Sequence, residues 1–164
     1  MIGLFFLLQA ATAMPAPWAP VSRTDPATGK TAVSARAMSR DGNAMMTVRC
    51  DTSVMPVVSV QVRARTPIDA GDDQPVDIQF DNGAPISARW QFPGGAMLTS
   101  NPEVVTALTT GMVHAKAIIL ATGAGPTAIN ERWDAPASED GIKAVLAGCG
   151  YELGTVPPPP KKGK

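Results

Sequence analysis

Histidine and cysteine, which serve most often as catalytic bases, nucleophiles and metal ligands, are rare in this sequence of 164 residues. There is one histidine, His114, and there are two cysteines, Cys50 and Cys149. A general base at His114 would need a nucleophile and an orienting carboxylate, and no nucleophile-elbow motif accompanies it. The histidine and the two cysteines also cannot supply a four-ligand zinc site by themselves. The sequence therefore predicts no catalytic residue, no bound metal and no cofactor.

Two further groups contain atoms that bind metals, but each has an ordinary structural explanation. The segment 69–73 carries three aspartates, whose oxygens suit calcium, yet it lacks the alternating ligands and the closing glutamate of an EF-hand loop. We expect a solvated acidic loop there. Methionines can bind copper or line an adaptable binding surface, but they more often fill gaps in a core. We expect core packing for Met38, Met45, Met46, Met55 and Met97.

Arginines form the one candidate binding surface. Arg63 and Arg65 alternate with apolar residues in one predicted strand, and Arg36 and Arg49 belong to two others. Because alternate strand residues share a face, these four side chains could gather on one side of a sheet as a docking patch. The alternative is an ordinary charged outer face. Fourteen basic and fourteen acidic residues give a formal charge of zero, which argues against a nucleic-acid groove.

The first residues of the chain predict export. Residues 2–8 are almost continuously apolar, and small residues follow them, so we expect a signal peptide over residues 1–13 that is cleaved after Ala11-Thr12-Ala13. The apolar run is shorter than the roughly 20 residues that span a bilayer, so we expect no integral membrane segment in the mature chain. A buried first strand is the alternative. With export, the protein would be periplasmic or secreted.

The cysteines agree with export. Two cysteines far apart in an exported chain are most simply one disulfide, here between Cys50 and Cys149. It would close a loop of roughly 100 residues and, in the chain-entropy model, contribute about 4–5 kcal/mol of stability. Two buried free thiols are the alternative.

Alternating hydrophobicity predicts eight or nine short strands. The main ones are residues 18–23, 31–38, 44–50, 58–65, 76–80, 86–92, 112–121 and 127–133. The first three form a predicted meander. Asn82-Gly83 predicts a hairpin, in which the apolar pattern favours pairing of Phe80 with Ile86. His114 would lie on a strand and face solvent.

Two short helices are also predicted. The sequence Asn101-Pro102-Glu103 combines a capping side chain, a proline at a helix start and a carboxylate near the positive end of the helix. Gly111 is expected to end this helix. Ser138 is expected to cap the second helix, whose apolar stripe ends at Cys149.

These elements predict a mainly β fold. We expect an antiparallel β-sandwich or strongly bent sheet with two short helices, of which the second packs on the sheet. A single β-rich domain would cover residues 18–153. The proline- and lysine-rich segment 154–164 is expected to be a disordered tail, with a polyproline ligand or an electrostatic tether as alternatives.

The order of these features resembles a group of exported bacterial proteins that includes the VasI-type accessory proteins of type VI secretion. The resemblance covers about residues 18–149. It is carried by Trp18, Asp25-Pro26, Thr47-Val48-Arg49-Cys50, Val76-Asp77-Ile78-Gln79-Phe80-Asp81, Trp90 and the helix that ends at Cys149. It implies an exported location, a β-rich fold and a link between Cys50 and Cys149. The family has no established active site to transfer.

Together, the sequence favours a non-catalytic exported domain that docks onto an envelope or secreted protein, in an accessory role linked to secretion or envelope machinery. One alternative is a hydrolase whose site is assembled from distant loops. Another is a carrier of a small ligand or lipid, since a bent sheet under a helix can hold an apolar pocket.

Overall fold

The computed structural model describes residues 15–66, 68, 73–123 and 128–158. In chain order, its elements are β1 (Val21–Thr24), β2 (Thr31–Met38), β3 (Ala44–Asp51), β4 (Val57–Ala64), β5 (Gln74–Phe80), β6 (Ile86–Trp90), β7 (Ala96–Thr99), α1 (Pro102–His114), β8 (Ala117–Thr122), β9 (Asn130–Asp134) and α2 (Asp140–Gly148). The mainly β fold class is confirmed. The expected signal peptide and residues 159–164 of the expected tail lie outside the described residues. Within those described, no helix has the length and apolar character needed to cross a bilayer.

The strands form two antiparallel sheets. The five-stranded sheet has the order β1-β2-β3-β4-β7, and the four-stranded sheet has the order β6-β5-β8-β9. The predicted meander is confirmed, since β1 pairs with β2 and β2 with β3. The chain passes between the sheets after β6, where Gln91 and Leu98 exchange two backbone hydrogen bonds of 2.9 and 2.8 Å.

Both sheets and both helices contribute to one hydrophobic core. On the five-stranded sheet, Val58, Val60 and Val62 are fully buried, as their alternation predicts. Helix α2 packs on β2 and β3, and its buried stripe consists of Ile142, Val145, Leu146 and Cys149. Full burial of one large aliphatic side chain contributes roughly 1.5–3 kcal/mol. The predicted packing of the second helix on the sheet is therefore confirmed, and the burial of this stripe stabilises the fold.

The methionines divide between the core and the surface. Met46 and Met97 are fully buried, as expected. Met38 and Met55 are 45% and 53% exposed, so the prediction that they fill the core is wrong. Met38 pairs with Met45 across β2 and β3, and alternation places this pair on the face opposite to Met46.

The hairpin between β5 and β6 has a different register from the expected one. Ile86 pairs with Ile78 rather than with Phe80, and this slip of two residues leaves every side chain on its predicted face. Asp81 lies in the longer connection that results between the two strands. It has a left-handed conformation with a φ of 51°, and its carboxylate accepts the backbone N–H of Ala117 at 2.9 Å, at the start of β8. Phe80, which no longer pairs with β6, pairs with Ile118 of β8 on the other edge of β5.

Helix α1 starts as predicted but ends later. The side-chain oxygen of Asn101 accepts hydrogen bonds from the backbone N–H groups of Glu103 and Val104 in the first turn, at 3.0 and 3.1 Å. The helix continues through Gly111 to His114, so the predictions of an end at Gly111 and of a strand at His114 are wrong. A Cβ atom at Gly111 would lie 2.2 Å from Cε2 of Phe80. This glycine therefore allows a close contact between the helix and the ring instead of ending the helix.

The start of α2 is fixed by tertiary contacts rather than by the predicted cap. Ser138 donates a hydrogen bond to Asp140 at 3.0 Å, and no side chain caps the helix, so that prediction is wrong. A Cβ atom at Gly141 would lie 2.0 Å from the carbonyl oxygen of Trp18. The indole N–H of Trp18 donates to the carbonyl of Asp134 at 2.8 Å. Trp18 has a φ of 62° and lies in a turn before β1, not in the predicted strand.

A disulfide between Cys50 and Cys149 joins β3 to the end of α2, with the two Cα atoms 5.6 Å apart. The expected pairing is confirmed, and the alternative of two free thiols is wrong. Both cysteines are buried. Gly150 follows with a φ of 71°, the left-handed conformation that commonly ends a helix.

Replacement of both cysteines by alanine should lower the free energy of unfolding by about 2–5 kcal/mol. The reason is that the unfolded chain would no longer be closed into a loop between residues that are 99 positions apart. Urea denaturation with and without a reductant measures the effect. Reduction should destabilise the native protein and leave the double variant unchanged. A native midpoint that does not move on complete reduction would contradict a stabilising role.

Gly111→Ala should destabilise the protein, although alanine is favoured over glycine by roughly 1 kcal/mol inside a helix. The added methyl group would press into the Phe80 ring, and extra atoms in a packed region typically cost about 1–3 kcal/mol. Urea denaturation measures the change. In a Phe80→Ala background, which removes the ring, the same substitution should stabilise the protein. A single variant more stable than the native chain would exclude the close contact.

Candidate functional site

The outer face of the five-stranded sheet collects arginines from four adjacent strands. Arg23 of β1, Arg36 of β2, Arg49 of β3 and Arg63 of β4 line one shallow depression of about 270 Å³. On β2, β3 and β4, alternate residues such as Val48 are buried in the core, so alternation directs their arginines outward. Arg23 is exposed on the edge strand β1. We call these four residues the arginine face. No residue that lines the depression is acidic.

Three of the four residues predicted as a docking patch belong to the arginine face. Arg36, Arg49 and Arg63 all line the depression. Arg65 does not. It follows the end of β4, where its backbone N–H donates to the carbonyl of Asn43 at 2.7 Å.

Arg23 is the member of the face that sequence reasoning missed. It lies on β1 and pairs with Ala32 of β2. Alternation gives no signal for it, because Val21 and Arg23 are two residues apart and share a face, and both line the depression. What places Arg23 there is the turn at residues 24–29, which folds β1 back onto β2. The exact length of that turn decides which side of β1 faces outward, and composition alone does not fix it.

One carboxylate partly balances the arginine face. The Arg49 guanidinium and the Asp51 carboxylate form an ion pair at 2.8 Å. Hydrogen bonds from the hydroxyl and the backbone N–H of Ser53, together with Arg49, lower the pKa of Asp51 to about 2. Asp51 is therefore ionised at neutral pH, and it partly neutralises Arg49.

The other three guanidinium groups are open to a binding partner. Within the described part of the chain, the side chains of Arg23, Arg36 and Arg63 make no ion pair and no hydrogen bond, and all three are exposed. A guanidinium stays charged at every physiological pH and presents its donors in a planar fork that matches a carboxylate. The face can therefore bind an anionic group over a wide pH range.

A second depression of about 330 Å³ adjoins the arginine face, between the β1–β2 and β3–β4 turns. Lys30 donates to the carbonyl of Ser53, and the Thr52 hydroxyl donates to the carbonyl of Thr31 at 2.7 Å, so the two turns are tied together. Asp25 also lines this depression, and a hydrogen bond from its own turn lowers its pKa. Because both signs of charge line it, this depression favours anions less than the arginine face does.

The polar residues elsewhere in the described part of the chain do not form a catalytic arrangement. His114 is exposed at the end of α1. The Ser39 hydroxyl donates a hydrogen bond to Asp41 at 2.7 Å. This bond is the largest cause that lowers the pKa of Asp41 to about 2. Burial raises the pKa of the neighbouring Glu131. This geometry stabilises the β2–β3 turn. No group of three histidine, cysteine or acidic side chains among the described residues could hold a metal ion; of the acidic segment 69–73, all but the last residue lies outside them.

The fold and the site together define a disulfide-linked domain of two antiparallel sheets with an arginine-lined outer face. No protein-family model and no curated protein matches the chain. Among solved structures, the fold is similar to the crystal structure of invasion associated protein B from Bartonella henselae, with a TM-score of 0.46 and 15% sequence identity. The match covers 77% of this chain and 87% of that chain.

The hydrogen bonds from Ser53 to Asp51, together with its ion pair with Arg49, predict a loss of stability in acid. The pKa of Asp51 is about 2 in the folded protein and about 3.9 in an unfolded chain. Its contribution is therefore complete above about pH 4 and is lost as the pH falls towards 2. Asp51→Asn should flatten this part of the profile of urea midpoint against pH, and an Asp41→Asn/Asp51→Asn double variant should flatten it further. An unchanged slope in Asp51→Asn would contradict the assignment.

Proposed function

We propose that this chain is an exported, non-catalytic protein-interaction domain that docks onto an acidic surface of another envelope or secreted protein. The observation that carries the proposal is the arginine face, which combines four arginines with no acidic residue in the depression that they line. A sheet face that merely contacts solvent needs no such segregation of charge.

The chemistry of arginine supports a docking role. Arginine is enriched at protein interfaces and among the residues that contribute most to binding. Its long aliphatic stem also covers apolar surface, so the same side chain supplies contact area and charge. Complementary charge speeds association and fixes the orientation of the partner.

The position of the face on the fold also supports docking. The arginines belong to paired strands rather than to loops, and functional groups on regular elements are held more precisely. Directly beneath them, the disulfide joins β3 to α2. Disulfides persist in oxidising compartments, which supports export, and the resemblance to VasI-type accessory proteins supports an accessory role in the envelope.

Neither alternative function has a comparable observation behind it. A hydrolase would need a nucleophile near a base, and His114 lies exposed at a helix end. A lipid carrier would need an apolar pocket in the core. Both depressions described above lie instead on polar, charged surfaces of the five-stranded sheet.

Charge reversal on the face tests the proposal. Arg36→Glu/Arg63→Glu should lower the yield of crosslinked partner protein at least tenfold when crosslinking in the native host is followed by mass spectrometry. The physical reason is that the new carboxylates would repel the acidic surface of the partner. Both side chains are exposed, so the variant should keep the native urea midpoint.

The matched control is Arg65→Glu/Arg132→Glu, which changes the net charge equally but lies outside the depression. Arg132 belongs to β9 of the other sheet. This control should retain the native crosslinking pattern. Equal losses in both double variants would show that net charge matters rather than the face. Native protein that yields no specific partner would contradict docking altogether.

A further inference from the structure

The strand register arranges the outer face as a diagonal. Arg23 of β1 is paired with Ala32 of β2, and two residues further along β2 lies Ser34, which is paired with Val21. Ser34 therefore lies one strand across and two residues along from Arg23. The same step from Ser34 leads to Thr47 on β3, and a third step leads to Arg63 on β4. The diagonal therefore begins and ends on an arginine and carries two small hydroxyl residues between them.

The other two arginines flank the middle of this diagonal on opposite sides. Arg49 pairs directly with Ser34, and Arg36 pairs directly with Thr47. Neighbouring strands lie about 4.8 Å apart and residues two apart on one strand are about 6.7 Å apart, so the Cα atoms of Arg36 and Arg49 are about 8 Å apart. We call the six residues the arginine trough: Arg23, Arg36, Arg49 and Arg63 around a floor of Ser34 and Thr47. All six line the depression of about 270 Å³.

We propose that the arginine trough binds an extended acidic peptide segment of the partner, laid across the strands along the diagonal. This inference rests on the proposed docking function and specifies which part of a partner the face recognises. Carboxylate side chains of the segment contact the four guanidinium groups, and the two hydroxyl groups of the floor donate hydrogen bonds to the segment.

The length of the trough favours a peptide over a single small anion. Three strand spacings and six residues separate Arg23 from Arg63, which places their Cα atoms about 25 Å apart. One phosphate or carboxylate cannot bridge that distance, whereas an extended peptide of about seven or eight residues can. Side chains at every second position of an extended chain point the same way and are about 7 Å apart, close to the spacing of Arg36 and Arg49.

The floor of the trough leaves room for such a segment. Ser34 and Thr47 are short, and both are only partly buried, so a main chain can approach the sheet between the longer arginine side chains. Their hydroxyl groups are both donors and acceptors. Fork-shaped guanidinium groups bind carboxylates through two parallel hydrogen bonds, which favours aspartate and glutamate over a neutral polar sequence.

Asp51 regulates the affinity of this site. It occupies one side of Arg49 at 2.8 Å and so competes with an incoming carboxylate. Removing its charge should free Arg49 for the peptide. Asp51→Asn is therefore expected to bind an acidic peptide several-fold more tightly than the native chain, a gain of function that a general loss of folding cannot mimic.

Fluorescence anisotropy with a labelled peptide tests the proposal. The probe is a nine-residue peptide with glutamate at alternate positions and serine between, and its comparison peptide replaces each glutamate by glutamine. We expect the native chain to bind the glutamate peptide at least tenfold more tightly than the glutamine peptide, with an affinity that falls as sodium chloride is raised.

Three variants separate the trough from the rest of the surface. Arg36→Gln/Arg63→Gln and Thr47→Tyr should each weaken binding at least tenfold, the first by removing charge and the second by filling the floor. Arg65→Gln/Arg132→Gln should stay within twofold of the native chain. Each variant is compared at an unchanged urea midpoint, so that a folding defect is not mistaken for a binding defect. Equal binding by all variants would overturn the trough.

Three further outcomes decide between this inference and the proposed function or exclude both. If the glutamate peptide does not bind but Arg36→Glu/Arg63→Glu loses its crosslinked partner, docking stands and the acidic segment is wrong. If a uronate polymer or polyphosphate binds in the trough and the peptide does not, the ligand is a glycan or phosphate polymer and the peptide proposal is overturned. If neither peptide nor partner depends on these arginines, both proposals fail.

Discussion

Alternation along β2, β3 and β4 is the constraint on which both the core and the arginine face depend. The pairing of β2 with β3 that places Val48 opposite Ala35 in the interior also places Thr47 beside Arg36 on the exterior. A slip of one residue would expose the valines and bury guanidinium groups, and an unpaired buried charge costs several kcal/mol. The geometry of the candidate site is therefore held by the same free energy that holds the core.

The layer beneath the arginine face is fixed by covalent and close packing contacts. The disulfide joins β3 to the end of α2. A Cβ atom at Gly148 would lie 3.1 Å from Cγ2 of Val33 and 3.5 Å from Sγ of Cys50, so the helix lies close to the sheet. At its other end, α2 contacts the backbone of Trp18. These contacts limit the movement of β2 and β3, and with them the spacing of the arginines.

Sequence reasoning succeeded where a pattern is local and repeated. Val58, Val60 and Val62 show one strand face at a period of two, and the stripe that ends at Cys149 shows one helix face, so both could be predicted. It failed where a distant partner decides the local structure. Gly111 does not end α1 but lies against the ring of Phe80, and the carboxylate of Asp81, beside the hairpin, accepts a hydrogen bond from the start of β8. Neither partner is near in sequence.

In the candidate site, too, the local pattern could be predicted and the contribution of distant strands could not. Alternation could place Arg36, Arg49 and Arg63 on one side of their own strands, but only the pairing of the strands could show that these sides coincide. Arg65 has the correct parity and yet lies past the end of β4, where pairing stops. Arg23 could be found only once the turn after β1 had set the register between β1 and β2. The diagonal of the trough depends on the three registers that pair β1 with β2, β2 with β3 and β3 with β4, and on no single strand.

The net charge of the whole chain does not reveal the local charge of the outer sheet face, which is what matters for binding. Its formal charge is zero, yet Arg23, Arg36, Arg49, Arg63 and Asp51 together give the outer sheet face a formal charge of +3, which leaves −3 for the remainder. At physiological ionic strength, exposed charges are screened over about 8 Å. A partner therefore responds to the local face once it is within about that distance, and the separated charges orient the two proteins as they meet. A chain with no net charge can therefore have a strongly charged docking surface, because the net charge sums over the whole molecule and a partner at the surface senses only the charges within the screening length.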